Sequence, residues 1–230
     1  MKPFADVNEM VSKLSRLFHR MSTDLGEKFD MLVEMDTLDL DTRKGKAPGG
    51  YQYYLQKSRV PFIFMNAAGL QGDLETMIHE AGHAFHSIYC GHLELIGERS
   101  YPIEFAEVAS MSMELMTQNE WGEFYSDEEA NRARLGHLEG IIFLLPWIAT
   151  IDSFQHWIYS NPGHTRDERK TVWNSIRDRF GSNMEWGDYQ RHRDTSWQQQ
   201  GHLFGVPFYY VEYGIAQLGA LQLWLSLIHI

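Results

Sequence analysis

The apolar residues of this chain recur mainly at the spacing of an α-helix. Near the N-terminus, Leu14, Leu17 and Phe18 follow an i, i+3, i+4 pattern, which predicts a helix over 7–38. The same pattern, bounded by capping residues and helix breakers, predicts further helices over 73–90, 104–119, 126–145, 149–159, 165 onward and 208 onward. The chain is therefore expected to be mainly helical.

Two short runs rich in aromatic and β-branched residues predict a small β-hairpin within this helical pattern. They cover 51–55 and 60–66 and are separated by four residues. Loops are expected over 39–50 and 201–207, where glycine and proline interrupt the periodic pattern. The expected fold class is mainly α, with one small β-hairpin.

Composition and charge narrow the range of functions. Of the 230 residues, 43% are hydrophobic and 22% charged, which is typical of a globular protein. The formal net charge of −11 gives no support for nucleic-acid binding. The single cysteine, Cys90, cannot form a disulfide within the chain, which favours a reducing compartment.

No membrane segment or secretory signal is expected. The longest apolar runs, 141–151 and 218–230, are shorter than the roughly 18–20 residues that cross a bilayer, and Pro146 interrupts the first. The N-terminus mixes charged and apolar residues and has no continuous apolar core. We therefore expect a cytoplasmic protein with no membrane partner.

The strongest chemical signal is the sequence His79-Glu80-Ala81-Gly82-His83. On a helix, side chains at i and i+4 share one face, so both imidazoles can bind one metal ion. Glu80 follows the first ligand and can act as general base on a water molecule at the ion's open position. The alternative is that both are ordinary hydrogen-bonded helix histidines.

The third ligand of such an ion has two candidates. His86 shares the face of His79 and His83 but lies about 10.5 Å along the axis from His79, too far for one ion. His86 is therefore expected beside the ligands or in the cleft, or as an ordinary helix histidine. The longer motif with a third histidine is excluded, because Tyr89 occupies its position.

A carboxylate from a separate helix is the second candidate. Glu104, Glu107 and Glu114 share one face of the otherwise apolar segment 103–115. Burying unpaired carboxylates is costly, so this face needs a cation or histidine donors. We assign Glu107 to a single Zn²⁺ ion and Glu114 to a hydrogen bond that orients a ligand imidazole. The alternative is a solvated helix face.

These motifs occur together with other recognisable segments. The chain resembles the oligoendopeptidase F and thimet oligopeptidase family of zinc metallopeptidases, and the Arg-Lys-Gly-Lys-Ala-Pro-Gly-Gly loop favours the oligoendopeptidase F branch. The resemblance runs in order from about residue 39 to 224. It is carried by 41–50, 60–66, 79–86, 106–110 and 207–213.

The resemblance implies a zincin-like, neurolysin-like helical fold with a deep channel that admits short peptides. It places the third zinc ligand at Glu107, which agrees with the burial argument. It also implies that His202, Tyr210 and Tyr213 face the zinc and stabilise the oxyanion of the reaction. Tyr209 is an alternative for either tyrosine, because the loop length does not fix the alignment.

The resemblance also concerns the extent of the domain. Family members are longer, so residues 1–224 are expected to be the C-terminal catalytic part of a longer protein. Residues 225–230 do not continue the family pattern and are expected to be a non-native tail, which leaves His229 without a role.

The predicted function is zinc-dependent endopeptidase cleavage of short oligopeptides with Glu80 as general base. In this zincin-like arrangement the run 60–66, including Phe64 and Asn66, serves as an edge strand that pairs with substrate. Gly49 and Gly50 let the preceding loop approach the peptide, or they simply open the hairpin.

Two other functions remain open at this point. One is a zinc- and peptide-binding fragment without activity, and the other is a dipeptidyl carboxypeptidase-type exopeptidase. The sequence does not decide cleavage preference, physiological substrate or oligomeric state.

Overall fold

The computed structural model describes residues 2–181 and 184–228, and it confirms the mainly helical fold class. Two compact units are present, one of residues 1–136 and 216–230 and one of His137–Ile215. The strands are β1 (Leu38–Asp41), β2 (Tyr51–Leu55) and β3 (Val60–Ala67). The helices are α1 (Val7–Met21), α2 (Thr23–Glu34), α3 (Gln71–Cys90), α4 (Ile103–Met116), α5 (Asp127–Ser160), α6 (Arg166–Phe180), α7 (Gln190–Thr195), α8 (His202–Gly205) and α9 (Val211–Ile228).

The N-terminal segment differs from the single helix predicted over 7–38. It forms α1 and α2, and Ser22 between them has an extended backbone with φ of −164°. Extended dihedrals at one residue end the helical hydrogen-bond pattern, and the Ser22 N–H caps α1 by donating to the carbonyl of Phe18. A strand, β1, then begins inside the predicted helix and continues into the predicted loop.

The three strands form one sheet in the order β1-β3-β2. The predicted hairpin is confirmed, because β2 and β3 pair antiparallel from Tyr51↔Phe64 to Leu55↔Val60. The prediction that β3 is an edge strand is wrong, since β1 pairs with its other side in parallel. In the described residues β2 has a strand partner on one side only.

The core of the first unit joins α1, α2, α3 and the sheet. The ring of Phe18 lies 5.1 Å from that of Phe29 and 5.0 Å from that of Phe85, and all three side chains are buried. Such tilted and edge-to-face aromatic pairs contribute about 0.5–1.5 kcal/mol each beyond the burial of area. Phe85 belongs to α3, so this cluster holds the helix that carries the histidine motif.

The ends of α3 are set by local hydrogen bonds. The helix begins at Gln71 rather than at the predicted Asp73, which lies in the first turn and accepts hydrogen bonds from the backbone N–H groups of Ala68 and Leu70. A carboxylate there also interacts favourably with the positive end of the helix dipole. Gly91 follows the last residue, as predicted.

The break predicted at Pro146 is absent. The helix α5 has 34 residues in all, and Pro146 lies inside it. Proline removes one main-chain donor, but the remaining ladder holds, and Thr150 donates its hydroxyl to the carbonyl of Pro146. The predicted helices over 126–145 and 149–159 are therefore one helix.

By length and composition α5 could cross a bilayer, with a mean hydropathy of 1.3 over its most apolar window. A single such helix is also found in cores of soluble proteins, so it assigns no membrane location.

The second unit has its own apolar core around Trp173, which packs against Phe154 with ring centroids 4.9 Å apart. The start of α6 confirms the predicted capping box. Thr165 accepts from the backbone of Glu168, whose carboxylate accepts from the backbone of Thr165.

The C-terminal segment differs slightly from prediction. Part of the predicted loop over 201–207 is the short helix α8, and α9 begins at Val211 rather than at Phe208, whose φ is +63°. The suspected non-native tail over 225–230 continues α9 to Ile228, while His229 and Ile230 lie outside the described residues. That prediction concerns the origin of the residues, which a helical conformation does not test.

Candidate metal centre

The helix α3 brings the two motif histidines together on one face. The ring centroids of His79 and His83 lie 4.8 Å apart in an edge-to-face arrangement. Both rings belong to the middle of a 20-residue helix that is packed on one side by the aromatic cluster. Their separation is the one expected for i and i+4 side chains.

The neighbouring helix α4 adds a carboxylate to this pair. Glu107 Oε2 lies 3.3 Å from His79 Nε2 and 3.6 Å from His83 Nε2. One ligand atom from each of the three residues lies within 4.8 Å of the others. Glu107 is only 4% exposed, and Ser110 donates its hydroxyl to the Glu107 main-chain carbonyl and lies 3.3 Å from its carboxylate.

Close packing of α3 on α4 makes this meeting possible. A Cβ atom at Gly82 would lie 2.7 Å from the Ser110 Cα and 3.0 Å from the Ala109 carbonyl oxygen. Real Cβ atoms do not approach other atoms so closely, so only glycine fits at this contact. The central position of the motif is therefore set by helix packing.

Glu114 occupies the predicted orienting position. Its Oε1 lies 2.6 Å from Nδ1 of His79, on the far side of the ring from Glu107. A carboxylate there favours the tautomer that carries a proton on Nδ1 and leaves Nε2 with a free electron pair. This is the arrangement that an imidazole ligand needs.

In the chain without a bound ion, these contacts set the pKa values of the two histidines and of Glu107. Burial lowers the pKa of His79, but hydrogen bonds with Glu107 and Glu114 outweigh burial and raise that pKa to about 10. Burial and the charge of His79 lower the pKa of His83 to about 4. Burial opposes ionisation of Glu107, yet the His79 hydrogen bond keeps its pKa below the usual value. The two carboxylates therefore give this pocket a strong preference for positive charge.

Glu80 is held beside the cluster by a different contact. It is 6% exposed, and the backbone N–H of Gln52 on β2 donates to its carboxylate. Burial raises the pKa of Glu80 to about 7, and the charge of Glu107 adds to the rise while His79 opposes it. A carboxylate with a pKa near neutrality can both accept and return a proton.

The donor set fits a zinc ion. Zinc binds imidazole nitrogen and carboxylate oxygen at about 2.0–2.2 Å, so tetrahedral ligand atoms lie about 3.4 Å apart. The distances of 3.3 and 3.6 Å from Glu107 Oε2 to the two Nε2 atoms match this spacing. Two histidines and one glutamate are also a set typical of catalytic zinc, which retains one open position.

A cavity of about 460 Å³ opens onto the cluster. Its lining comprises Gly50, Gly72, Glu75, Thr76, His79, Glu80 and Glu114. A Cβ atom at Gly50 would lie 2.7 Å from the Thr76 Cγ2 and 3.6 Å from Glu80 Oε1. A side chain at residue 50 would therefore press on Thr76, one helical turn from the base.

The other predicted substrate-binding residues hold this loop. The amide of Asn66 donates to the carbonyls of Ala47 and Gly49, and Gly49 has a φ of +95° that favours glycine. The ring of Phe64 stacks on Tyr51 with centroids 4.9 Å apart. Gly49, Phe64 and Asn66 are absent from the cavity lining, so contact of these three with substrate stays a prediction.

His86 is not brought into the metal cluster. Its ring stacks on Tyr101 with centroids 3.8 Å apart, and its buried Nδ1 has no hydrogen-bond partner among the described residues. Burial lowers the pKa of its imidazole. This placement fits the expectation that His86 is no ligand of the ion.

The residues predicted to stabilise the oxyanion cluster in the second unit. The His202 ring lies 5.0 Å from Tyr210 and 5.5 Å from Tyr213, and its Nε2 is 3.3 Å from the Tyr213 hydroxyl. Tyr209 also packs on His202, at 5.8 Å, so it remains a rival. Only Tyr213 belongs to α9, because Tyr210 precedes the helix. The predicted approach of these side chains to the metal stays a prediction.

Sequence reasoning missed several residues that build the site. Gln52 reaches Glu80 through its backbone, which no side-chain motif reveals. The packing role of Gly82 depends on the contact of two helices, whereas the Ser110 hydroxyl bonds to Glu107 within α4. The only sequence signal was a run of small residues around Ser110, facing a glycine inside the histidine motif.

Comparison with known proteins identifies the family of this chain. A family model described as peptidase family M3 matches residues 15–229. The chain is 25% identical over 162 residues to the chromosomal oligoendopeptidase F of Lactococcus lactis subsp. cremoris, covering 70% of this chain and 25% of the relative. It is 28% identical over 144 residues to the oligopeptidase PepF of Bacillus subtilis (strain 168), covering 59% of this chain and 21% of the relative.

Two solved structures have the same fold. PZ peptidase A with an inhibitor aligns with a TM-score of 0.91 and 34% identity, over 98% of this chain and 40% of that one. A candidate oligoendopeptidase F from Bacillus anthracis str. Ames aligns with a TM-score of 0.83 and 32% identity, over 99% of this chain and 38% of that one. This chain thus spans well under half the length of its relatives. Because the family model covers nearly all of it, the chain belongs to peptidase family M3.

Proposed function

We propose that this chain carries the catalytic centre of a zinc-dependent metalloendopeptidase that hydrolyses short peptides, and that it acts in the cytoplasm. The observation that carries the proposal is the convergence of His79, His83 and Glu107, with Glu80 buried beside them. The oligopeptidase names of the relatives support short peptides as substrates. The single, partly buried Cys90 is compatible with a reducing compartment.

His79, His83 and Glu107 would hold one Zn²⁺ ion. When bound, the ion supplies Lewis acidity, which polarises the scissile carbonyl and makes a water molecule more acidic. Glu114 would orient the His79 ring so that Nε2 is the ligand atom, because its carboxylate accepts the Nδ1 proton's hydrogen bond.

Glu80 performs the proton transfers in this proposal. Its carboxylate accepts a proton from the attacking water and then delivers that proton to the nitrogen of the departing amine. In the chain without the ion its pKa is about 7, because burial disfavours the charged form. The Gln52 N–H fixes the carboxylate, so the base is positioned before substrate arrives.

The substrate is proposed to lie along β2 rather than along β3. The main chain of β3 is paired with a strand on both sides, whereas β2 has a strand partner on one side only in the described residues. A peptide in extended conformation can add to such an edge by main-chain hydrogen bonds. His202, Tyr210 and Tyr213 are proposed donors to the oxyanion, where one donor is typically worth about 3–4 kcal/mol.

The test separates the base from the ligands. Glu80→Gln is expected to retain zinc and to lose at least about 100-fold in the turnover of a quenched fluorescent peptide. Glu107→Ala is expected to lose zinc, measured by elemental analysis after dialysis, because one of three ligands is gone. Turnover by Glu80→Gln close to that of the unchanged chain would refute the proposed base.

The products decide between related activities. Mass spectrometry of a digested peptide pool should show internal cleavage if the chain is an endopeptidase. Release of C-terminal dipeptides alone would instead assign the exopeptidase alternative. Zinc binding without cleavage of any peptide would assign the inactive binding fragment.

A further inference from the structure

A second cavity lies beside the proposed catalytic centre and differs from it in chemistry. It has a volume of about 200 Å³ and is lined by Gln52, Tyr54, Gln56, Ser87, Arg99, Ser100 and Tyr101. Every one of these side chains carries a polar group. The volume is several times the roughly 30 Å³ share of one water molecule but below the size of drug-sized pockets. It suits one small polar group.

Arg99 gives this cavity its charge. The residue is 8% exposed, and its Nη atoms donate to the side-chain oxygen of Gln56 and to the backbone carbonyl of Glu94. Its Nε has no hydrogen-bond partner in the described residues. Among the described residues this guanidinium meets only neutral acceptors, and burying a charge without a counter-charge is costly. An anion in the cavity would remove that cost.

Two further polar groups in the lining are also left without partners. The side-chain Nε2 of Gln52 and the hydroxyl of Tyr54 are buried, and neither has a partner within the described part of the chain. Both can donate hydrogen bonds, as can the Nε of Arg99. Buried polar groups normally have partners, so three such groups in one cavity indicate a ligand that accepts hydrogen bonds.

The remaining lining residues shape the cavity. The hydroxyls of Ser87 and Tyr101 lie 3.0 Å apart, and the Tyr101 ring stacks on His86. This contact fixes one wall against α3. Because the groups without partners belong to β2 and to the segment before α4, the opposite wall is the one that recognises a ligand.

The cavity and the proposed catalytic centre share two elements. Gln52 donates its backbone N–H to Glu80 and directs its side chain to the cavity lining. On α3, Ser87 lies seven residues after Glu80, which is about 10 Å along the helix axis. An extended peptide covers about 10 Å in three residues. A peptide that lies along β2 would thus reach the cavity about three residues from the bond beside Glu80.

We infer that this cavity, the Arg99 pocket, binds a carboxylate of the peptide substrate about three residues from the scissile bond. The inference rests on the proposed function for the identity of its ligand as a peptide. A carboxylate accepts several hydrogen bonds and pairs with guanidinium, so it satisfies Arg99, Gln52 and Tyr54 together. It comes either from the C-terminus of the peptide or from an aspartate or glutamate side chain.

Binding of labelled peptides to the intact chain tests the inference without turnover. Three octapeptides that share one sequence apart from the changes below are compared by fluorescence anisotropy, with the zinc-free chain and with zinc-loaded Glu80→Gln, which by the proposed function does not cleave them. One has a free C-terminus, one a C-terminal amide, and one an amide plus an internal aspartate in place of asparagine. Arg99→Gln is expected to weaken binding of either the peptide with the free C-terminus or the peptide with the aspartate more than tenfold. Its affinity for the amide peptide without the aspartate should not change. Which of the two is weakened identifies the source of the carboxylate.

Two further variants guard the interpretation. Tyr54→Phe removes only the hydroxyl and should weaken the same peptide by about three- to tenfold even if Arg99→Gln does not fold. Arg59→Gln removes an equal charge from the hairpin, where Arg59 donates to the carbonyl of Gly91, and should have no effect. An equal loss for all three peptides, or no loss with either Arg99→Gln or Tyr54→Phe, would overturn the inference. Carboxylate-selective binding by a chain that cleaves nothing would instead overturn only the proposed function.

Discussion

Residue 50 shows how a single missing side chain shapes the proposed active site. The Gly50 backbone packs against Thr76 and close to Glu80, in the cavity that opens onto the metal cluster. A Cβ atom there would overlap Thr76 Cγ2 at 2.7 Å. A side chain at residue 50 would therefore crowd the helix beside the base.

Gly50→Ala is expected to lower kcat/KM for a peptide substrate by roughly 10- to 100-fold, because small displacements of a catalytic group are costly. Zinc content should stay unchanged, since Gly50 contacts no proposed ligand atom. The measurement is steady-state hydrolysis together with elemental analysis.

Gly122→Ala is the matched control for this change. No atom lies within 4 Å of a Cβ at that position. It should behave as the unchanged chain in both assays. Equal kinetics for Gly50→Ala and Gly122→Ala would contradict the role given to the loop.

At the scale of elements, the pairing of α3 with α4 creates the metal cluster. Gly82 sits at their closest contact, where a Cβ would lie 2.7 Å from a main-chain atom of Ser110. Main-chain atoms cannot move aside as flexible side chains can. The two helices would have to separate to admit any larger residue.

Gly82→Ala should therefore lower the free energy of unfolding by about 1–3 kcal/mol, which is the usual cost of overpacking. It should also weaken zinc binding, because Glu107 moves away from both histidines. Urea unfolding and a zinc competition assay measure the two effects.

The control variant for this prediction should change the free energy of unfolding in the opposite direction. Gly136→Ala in α5 meets no atom within 4 Å and should raise the free energy of unfolding by up to about 1 kcal/mol. A Gly82→Ala variant more stable than the unchanged chain would show that α3 and α4 leave space for a Cβ atom at this contact.

The loop between β1 and β2 is tied by a carboxylate. Asp39 accepts two hydrogen bonds from Arg43 and one from Lys46, whose side chain is 1% exposed. The hydrogen bonds from Arg43, together with the Lys46 contact, hold the pKa of Asp39 well below its usual range despite partial burial. Because the folded-state pKa is depressed, the stabilisation is present above the unfolded-state pKa of about 3.9 and is lost as pH falls through the folded-state pKa.

Asp39→Asn is accordingly expected to lower the Tm at neutral pH. The gap between the Tm of the variant and that of the unchanged chain should narrow steadily as pH falls below about 4. Asp41→Asn serves as control, since the Asp41 side chain makes no hydrogen bond among the described residues. A gap that stays constant from pH 7 to pH 2 would exclude the Asp39 contacts as its cause.

Local sequence patterns predicted the elements that depend on local interactions. The α3 helix, the hairpin and the cap of α6 follow from spacing and from Thr165 with Glu168. The sites of Glu107 and Glu114 followed from the cost of burying carboxylates.

Features that depend on distant partners were missed. The strand β1 forms because β3, more than twenty residues later, offers a parallel edge. The break at Ser22 was not indicated by the apolar spacing, and the continuity of α5 through Pro146 runs against the low helix propensity of proline. Arg99 gave no signal because Gln56 lies 43 residues away in the chain and Glu94 contributes only its main-chain carbonyl.

At the scale of the whole molecule, all three proposed zinc ligands belong to the first of the two units. A ligand that binds only the folded state stabilises it by mass action. Zinc at one hundred times its Kd should raise the free energy of unfolding of this unit by about 2.7 kcal/mol.

Calorimetry with zinc, and after treatment with a chelator, measures this effect. The Glu107→Ala variant should show a much smaller shift, because its site has lost a ligand. An equal shift in that variant would place the stabilising zinc elsewhere in the molecule.

The alignment of β2 on β3 has a consequence for folding fidelity. Side chains alternate between the two faces of a strand, so a slip of one residue would turn Gln52 over. Both of its contacts, the main-chain one to Glu80 and the side-chain one at the Arg99 pocket, would be lost together. The reversal between the two strands ends at Arg59, whose φ of +57° is left-handed. A misaligned molecule would keep its zinc ligands on α3 and α4 yet be unable to position either the base or the peptide.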